Sequence, residues 1–193
     1  KEGAIGEELS VSRTPIREAI RILEAEGLIV MEPWKGITVA TLSRRQVSDF
    51  YAYREIIEGL AAEMAASVIT EDEIEGLDAI LLQLEKGRDQ TGSELANVNE
   101  LFHKTIFDIS GNRFLNQSLE VINTAKILIW KPVYPSHERW REAQQEHRKM
   151  FDALRSRDAI TAKAVAQEHV RSAGLTRVAA MISEELEADS SEK

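Results

Sequence analysis

The sequence predicts a mainly α-helical protein: an N-terminal winged helix-turn-helix followed by an antiparallel bundle of about six helices. Three observations predict it. Arg13, Arg17 and Arg21 recur every fourth residue beside an apolar set at helical spacing, Ile16, Ile20 and Leu23. Two short β-prone runs then flank a Pro- and Gly-containing turn between residues 28 and 40. From Ser43 onward, helix-capping signals and helical periodicity follow one another without a convincing strand.

Taken in order, Glu2 to Leu9 reads as a short helix with Ile5 and Leu9 four apart, and Ser10-Val11 as a turn. Ser12 or Thr14 caps the next helix, and Pro15 fits its first turn, where its missing N–H has no intrahelical partner. Gly27 ends that helix. Leu28 to Met31 and Ile37 to Ala40 are expected as two strands joined by Glu32-Pro33-Trp34-Lys35-Gly36, a hairpin or wing. The expected division is residues 1–42 for this head and 43–193 for the helical body.

In the body, Ser43-Arg44-Arg45-Gln46 and Thr70-Glu71-Asp72-Glu73 are capping boxes opening helices to about Val68 and past Leu84. Gly87 and Gly92 bracket a break, and Ser93 is expected to cap a helix to Ile109. Ser110-Gly111-Asn112 reads as a C-cap followed directly by an N-cap. The helix after it runs to about Trp130, where Pro132 and Pro135 interrupt. Ser136 or a neighbour opens the fifth helix, to Arg155, and Asp158 the sixth, to about Glu185. The polar tail from Glu184 is expected to fray. His137 reads as a surface or capping residue. Trp34, Trp130 and Trp140 read as packing or interface residues.

Charge separates the two parts. The chain carries a net charge of −9, yet residues 1–45 hold seven basic and seven acidic side chains, so the whole excess falls on the body. A neutral head with one basic face fits DNA contact at one end only. Helix N-terminal N–H groups suit phosphate, and guanidinium forks suit guanine edges. The lack of cysteine excludes disulfides and thiolate metal sites. No apolar run approaches a membrane span, no signal peptide is visible, and the cytoplasm is the expected location.

Ser12-Arg13-Thr14-Pro15-Ile16-Arg17-Glu18-Ala19-Ile20, with Leu23-Glu24 and Glu26-Gly27-Leu28, resembles the winged-helix signature of GntR-type bacterial transcription regulators. The resemblance implies DNA contacts by Ser12, Arg13, Thr14 and Arg17, assisted by Lys35 and Gly36 at the wing tip. It also implies a helix ahead of Glu2 that this sequence does not contain.

His103, His147 and His169 are the second informative feature. Each shares a helical face with apolar residues, on three different predicted helices, where an unpartnered imidazole is costly. Helices aimed in this way can bring imidazoles to one divalent ion, and Asn99, four residues before His103, projects beside it as a fourth donor. Asn99-Glu100-Leu101-Phe102-His103, Ser110-Gly111-Asn112, Glu146-His147 and Glu168-His169 resemble the FadR-subfamily ligand-sensing domain, the FCD domain. Metal-binding members usually carry aspartate where Asn99 stands. The exchange is expected to weaken metal binding and to leave the site about one unit more positive, so that a small carboxylate effector completes the shell. Zinc, nickel and manganese all suit the donor set.

Arg54 and Glu58, four apart, read as an ordinary helix ion pair worth a few tenths of a kcal/mol. The resemblance makes Arg54 a candidate receptor for the effector carboxylate. The expected function is a homodimeric repressor of a catabolic operon, bound to a palindromic double-stranded operator and controlled by an organic-acid or sugar-acid effector. The rival is a three-histidine metal-dependent hydrolase. Against it, the sequence offers no HExxH pair, and its nearest carboxylate, Glu100, lies roughly a hundred degrees round the helix from Asn99.

Overall fold

The computed structural model describes residues 2–86, 92–129 and 136–191. Its elements in chain order are α1 (Glu2–Glu8), α2 (Arg13–Ala25), β1 (Ile29–Glu32), β2 (Gly36–Val39), α3 (Arg44–Val68), α4 (Glu71–Lys86), α5 (Gly92–Ser110), α6 (Arg113–Leu128), α7 (His137–Arg155) and α8 (Ala159–Ser191). They form two compact units. One comprises Lys1–Ser43 with Ile122–Trp130, the other Arg44–Val121 with Lys131–Lys193.

In the first unit, α1 and α2 form the helix-turn-helix. A Cβ on the buried Gly6 would lie 3.0 Å from the carbonyl of Val11, so glycine permits the close turn. Ser12 holds the N-cap position in extended conformation, but its side chain makes no capping hydrogen bond. Ile16 and Ile20 are buried as expected, whereas Leu23 and Leu9 are exposed. A module this small has too little interior to bury every apolar side chain. At the end of α2 the N–H groups of Gly27 and Leu28 donate to Glu24 and Leu23. Gly27 is left-handed (φ +74°), which completes a Schellman motif.

The strands pair antiparallel in the register Ile29↔Val39 to Glu32↔Gly36, one residue later at the first strand and one earlier at the second than expected. Pro33, Trp34 and Lys35 make the tip. Trp34 does not pack: it is fully exposed, at 105 % of the reference area, and holds φ +74°. A tip between two four-residue strands has no core to receive an indole.

Among the described residues the second unit contains five whole helices, α3, α4, α5, α7 and α8, and the first part of α6. The long α3 and α8 pack most extensively, and antiparallel. A Cβ on Gly59 would meet Gln167 Cγ at 2.6 Å, and one on Gly174 would meet Tyr51 Cγ at 2.8 Å, so each helix supplies a glycine where the other comes close. Ala62, Ala65, Ala66, Ala162 and Ala166 continue that small-residue contact into a core with Leu77, Leu81, Phe102, Ile106, Phe151 and Leu154. α5 and α7 complete the packing around α3, α4 and α8.

The caps explain the boundaries. Glu73 Oε2 accepts from the Thr70 N–H and hydroxyl at 2.8 Å each. Asn112 Oδ1 accepts from Phe114 N–H at 3.0 Å, after Gly111 has turned the chain at φ +64°. Ser136 Oγ accepts from Arg139 N–H at 3.1 Å, and Asp158 Oδ1 from Thr161 N–H at 3.0 Å. Two expectations are corrected. α5 is described from Gly92, so Ser93 lies within the helix range and not before it. The tail does not fray at Glu184: α8 continues to Ser191, through Glu184-Glu185-Leu186-Glu187-Ala188, all good helix formers. Gly87, Trp130, Pro132 and Pro135 lie outside the described residues. None of the described helices is long and apolar enough to cross a membrane.

Candidate metal centre and DNA-reading face

Helical spacing brings the three histidines together. His103 on α5, His147 on α7 and His169 on α8 are all buried, and one candidate ligand atom from each lies within 4.8 Å of the others. Ring centroids are 5.3 Å apart for His103 and His147, 5.1 Å for His103 and His169, and 4.5 Å for His147 and His169. Phe102, fully buried, stands 4.9 Å from the His147 ring and walls the site.

Each imidazole turns its Nδ1 toward an oxygen of the protein. His169 Nδ1 lies 2.7 Å from Glu146 Oε2 and His103 Nδ1 3.0 Å from Glu58 Oε2. His147 Nδ1 has a longer contact, 3.5 Å, with Gln144 Oε1. His147 Nε2 is buried without a hydrogen-bond partner. Such an orphaned nitrogen beside two further imidazoles fits a divalent ion of intermediate softness. Closed tetrahedral coordination needs metal–nitrogen distances of about 2.0–2.1 Å.

The two carboxylates are themselves held. Glu58 Oε1 accepts from Arg54 Nε at 2.7 Å and pairs with its Nη2 at 2.6 Å. Both residues are buried, and the Arg54 guanidinium also lies 5.2 Å from the centre of the Tyr51 ring. Glu146 receives a two-pronged bond from the buried Arg139, at 2.9 Å on each oxygen. Burial works against the Arg54 charge, but Glu58 and Tyr51 outweigh it and raise its pKa above the ordinary value. Burial likewise opposes the Glu146 charge, while His169 and Arg139 overcome it and lower its pKa. For His147, burial and the repulsion of His169, His103 and Arg139 hold the pKa well below the usual imidazole range. It is therefore neutral at pH 7, as a ligand must be.

Sequence reasoning found the histidines but missed Glu58 and Glu146. The expectation that Glu100 is the carboxylate nearest the histidines is corrected: Glu58 and Glu146 stand against His103 and His169. Glu100 is exposed. Glu146 directly precedes His147 yet serves His169, and only the packing of α7 on α8 reveals this. Arg54 is occupied by Glu58. Asn99 is half-buried on α5, one turn before His103.

On the first unit, Ser12 is exposed at the N-cap and Arg13, Thr14 and Arg17 are exposed on α2, with Arg21 one turn further, on a side adjoining the buried Ile16 and Ile20. Lys35 and Gly36 are exposed at the wing. Lys35 Nζ pairs with Glu32 at 2.8 Å, an exposed pair of a kind that contributes little and exchanges readily for another anion.

Residues 49–172 match the FCD domain model, and residues 1–39 match that of the bacterial regulatory proteins of the gntR family. The chain is 31 % identical over 173 residues to the HTH-type transcriptional regulator YdhC of Bacillus subtilis, covering 88 % of this chain and 75 % of that protein. It is 31 % identical over 106 residues to the gluconate operon transcriptional repressor of the same species, covering 54 % of this chain and 43 % of that one. E. coli McbR/YncC has the same fold, with a TM-score of 0.78 at 21 % identity over 94 % of this chain and 86 % of that one. The two Bacillus relatives are transcription regulators, and both matched family models are those of regulators rather than of hydrolases. The head that displays its arginines and the helical body that gathers its histidines are thus the two halves of one known architecture, and the chain belongs to the GntR-type transcription regulators that carry an FCD domain.

Proposed function

We propose that the protein is a homodimeric repressor of a catabolic operon, acting on cytoplasmic DNA and released or retained by a small organic or sugar acid bound at a divalent metal in the helical body. The observation that carries this reading is the convergence of three buried imidazoles, one with an unpartnered Nε2. His103, His147 and His169 would hold the ion, with the carbonyl of Asn99 as a fourth donor; zinc, nickel and manganese suit that set. The ion would supply Lewis acidity toward an anionic ligand. Imidazoles and an amide leave its charge unneutralised, and each outer carboxylate is already balanced by an arginine. An acid effector is therefore the ligand that the site's electrostatics favours. Its carboxylate would reach Arg54 only in exchange for Glu58.

On the head, Ser12, Arg13, Thr14 and Arg17 would contact the operator major groove, with Lys35 and Gly36 at the wing. Division into residues 1–42 and 43–193 assigns DNA reading to the first part and sensing to the second. Support for the dimer comes from apolar side chains left at the surface of the second unit: Ile56 and Leu60 share a face of α3, and Phe114 and Val121 a face of α6. A twofold pair would read a palindrome with half-sites about one helical turn apart. Regulation requires unequal effector affinity for two arrangements of the dimer.

The test is calorimetry of zinc binding to the native protein and to Asn99→Asp. One ion per chain is expected, bound more tightly by Asn99→Asp because a charged ligand replaces a neutral one. Equal or weaker binding by the variant removes Asn99 from the site, and absence of binding by both removes the metal.

A further inference from the structure

Two arginine–carboxylate pairs flank the histidines, and they follow one plan. Arg54 and Glu58 stand on α3, and Glu58 reaches His103 on α5. Arg139 and Glu146 stand on α7, and Glu146 reaches His169 on α8. In both cases a buried or nearly buried carboxylate is gripped from one side by a guanidinium and faces a ring Nδ1 on the other; Glu146 makes an aligned hydrogen bond to its ring, whereas Glu58 Oε2 stands 3.0 Å from His103 Nδ1 at ion-pair distance. The third ring has no such pair, only the neutral amide of Gln144 at 3.5 Å.

A purely structural account of these pairs is weak. Taking an ion pair out of water costs about as much as the pair returns, and an apolar pair of similar size often does as well. Nor does either arginine need the histidine, since its carboxylate already satisfies it. What the histidine contact adds is direction. An imidazole whose Nδ1 faces a carboxylate keeps its proton there, and its Nε2 is then left as a lone-pair donor.

We propose that Glu58 and Glu146, anchored by Arg54 and Arg139, are outer positioning residues of the three-imidazole centre, fixing the Nδ1–H tautomer of His103 and His169 and so committing their Nε2 atoms to the ion. The proposal rests on the metal-centre reading. It assigns the four charged residues a shared task that helical spacing alone did not suggest. It also ranks the rings: His103 and His169 are pre-set, whereas His147, with its long neutral contact, is the ring whose orientation the ion itself completes. The Glu146 arm is the stronger of the two, with the shorter contact to its ring and a two-pronged grip from Arg139.

The first measurement needs no variant. Imidazole ¹⁵N shifts of the metal-free wild-type protein should report the Nδ1–H tautomer for His103 and His169; Nε2–H in both overturns the proposal. The second is zinc affinity by chelator competition, run beside thermal melts. Glu146→Gln should lose about 10–100-fold in affinity, the range usual for such partners, Glu58→Gln should lose less, and Gln144→Ala least. Variants that melt lower but bind zinc like the wild type would make the pairs structural and overturn the proposal. Should the wild-type protein itself bind no zinc, nickel or manganese, the metal reading fails and this assignment fails with it. That outcome differs from unchanged affinity among the variants, which removes the outer residues alone. Should Glu58→Gln fail to fold because Arg54 is left unpaired, the tautomer measurement decides by itself.

Discussion

The two units handle charge in opposite ways. The first keeps Arg13, Arg17, Arg21 and Lys35 at the surface, over an interior that includes Ile16, Ile20 and Leu28. The second takes Arg54, Glu58 and Arg139 inside, each with a charged partner. On the function proposed above, the difference follows from what each would recognise. A polyanion many times larger than the head is met by side chains left in water, whose worth appears only on contact. An ion or a small acid is met by groups fixed before it arrives, whose cost is already part of folding.

That contrast can be broken in stages. Arg54→Ala should be the most damaging change, destabilising the body by about 3–5 kcal/mol because Glu58 is left buried without its cation. A denaturant midpoint close to that of the wild type would mean that Glu58 is not held charged. Arg17→Ala should do the reverse: stability within about 0.5 kcal/mol of the wild type, and operator binding weaker by about 1–3 kcal/mol if the side chain reads a base. Titration against operator and scrambled duplexes separates the cases, since equal loss on both makes it a phosphate contact.

Acid sharpens the comparison further. The folded body holds the His147 pKa well below its ordinary value. As pH falls below the unfolded value of about 6.5 the unfolded chain takes up a proton that the folded site refuses. His147 therefore contributes no pH dependence above that point and lowers the stability of the metal-free protein below it. Unfolding curves between pH 7 and pH 5 should show the decline, and His147→Phe should flatten it. The smallest effect is expected at Asp158, an exposed cap whose pKa is lowered by hydrogen bonds from the Thr161 hydroxyl and N–H. That stabilisation is present above the ordinary aspartate value of about 3.9 and is lost as pH falls through the lowered folded value. Asp158→Ala should reduce the melting temperature slightly near neutrality, and the gap from wild type should close in strong acid.

Much of this was legible from local signals. Capping geometry depends on residues within one turn, so Thr70 with Glu73, Asn112, Ser136 and Asp158 announced their helices. Inward-facing histidines were visible because His103, His147 and His169 each share a helical face with apolar neighbours. The partners of those rings were not visible, because each contact crosses between helices. Glu58 looked like half of a surface pair worth tenths of a kcal/mol, since spacing of four is the same on a wet helix and a dry one. Only the approach of α5 to α3 distinguishes them. The length of α8 was missed for a related reason. Its last turns are polar, and polarity was read as fraying although Glu, Leu and Ala favour a helix.

Trp34 carries a practical consequence. An indole standing wholly in solvent at the wing tip emits at long wavelength and meets dissolved iodide freely, whereas Trp140 is partly covered. The head therefore holds its own optical label, and if the wing meets the operator as proposed, its emission should follow operator binding without any dye attached.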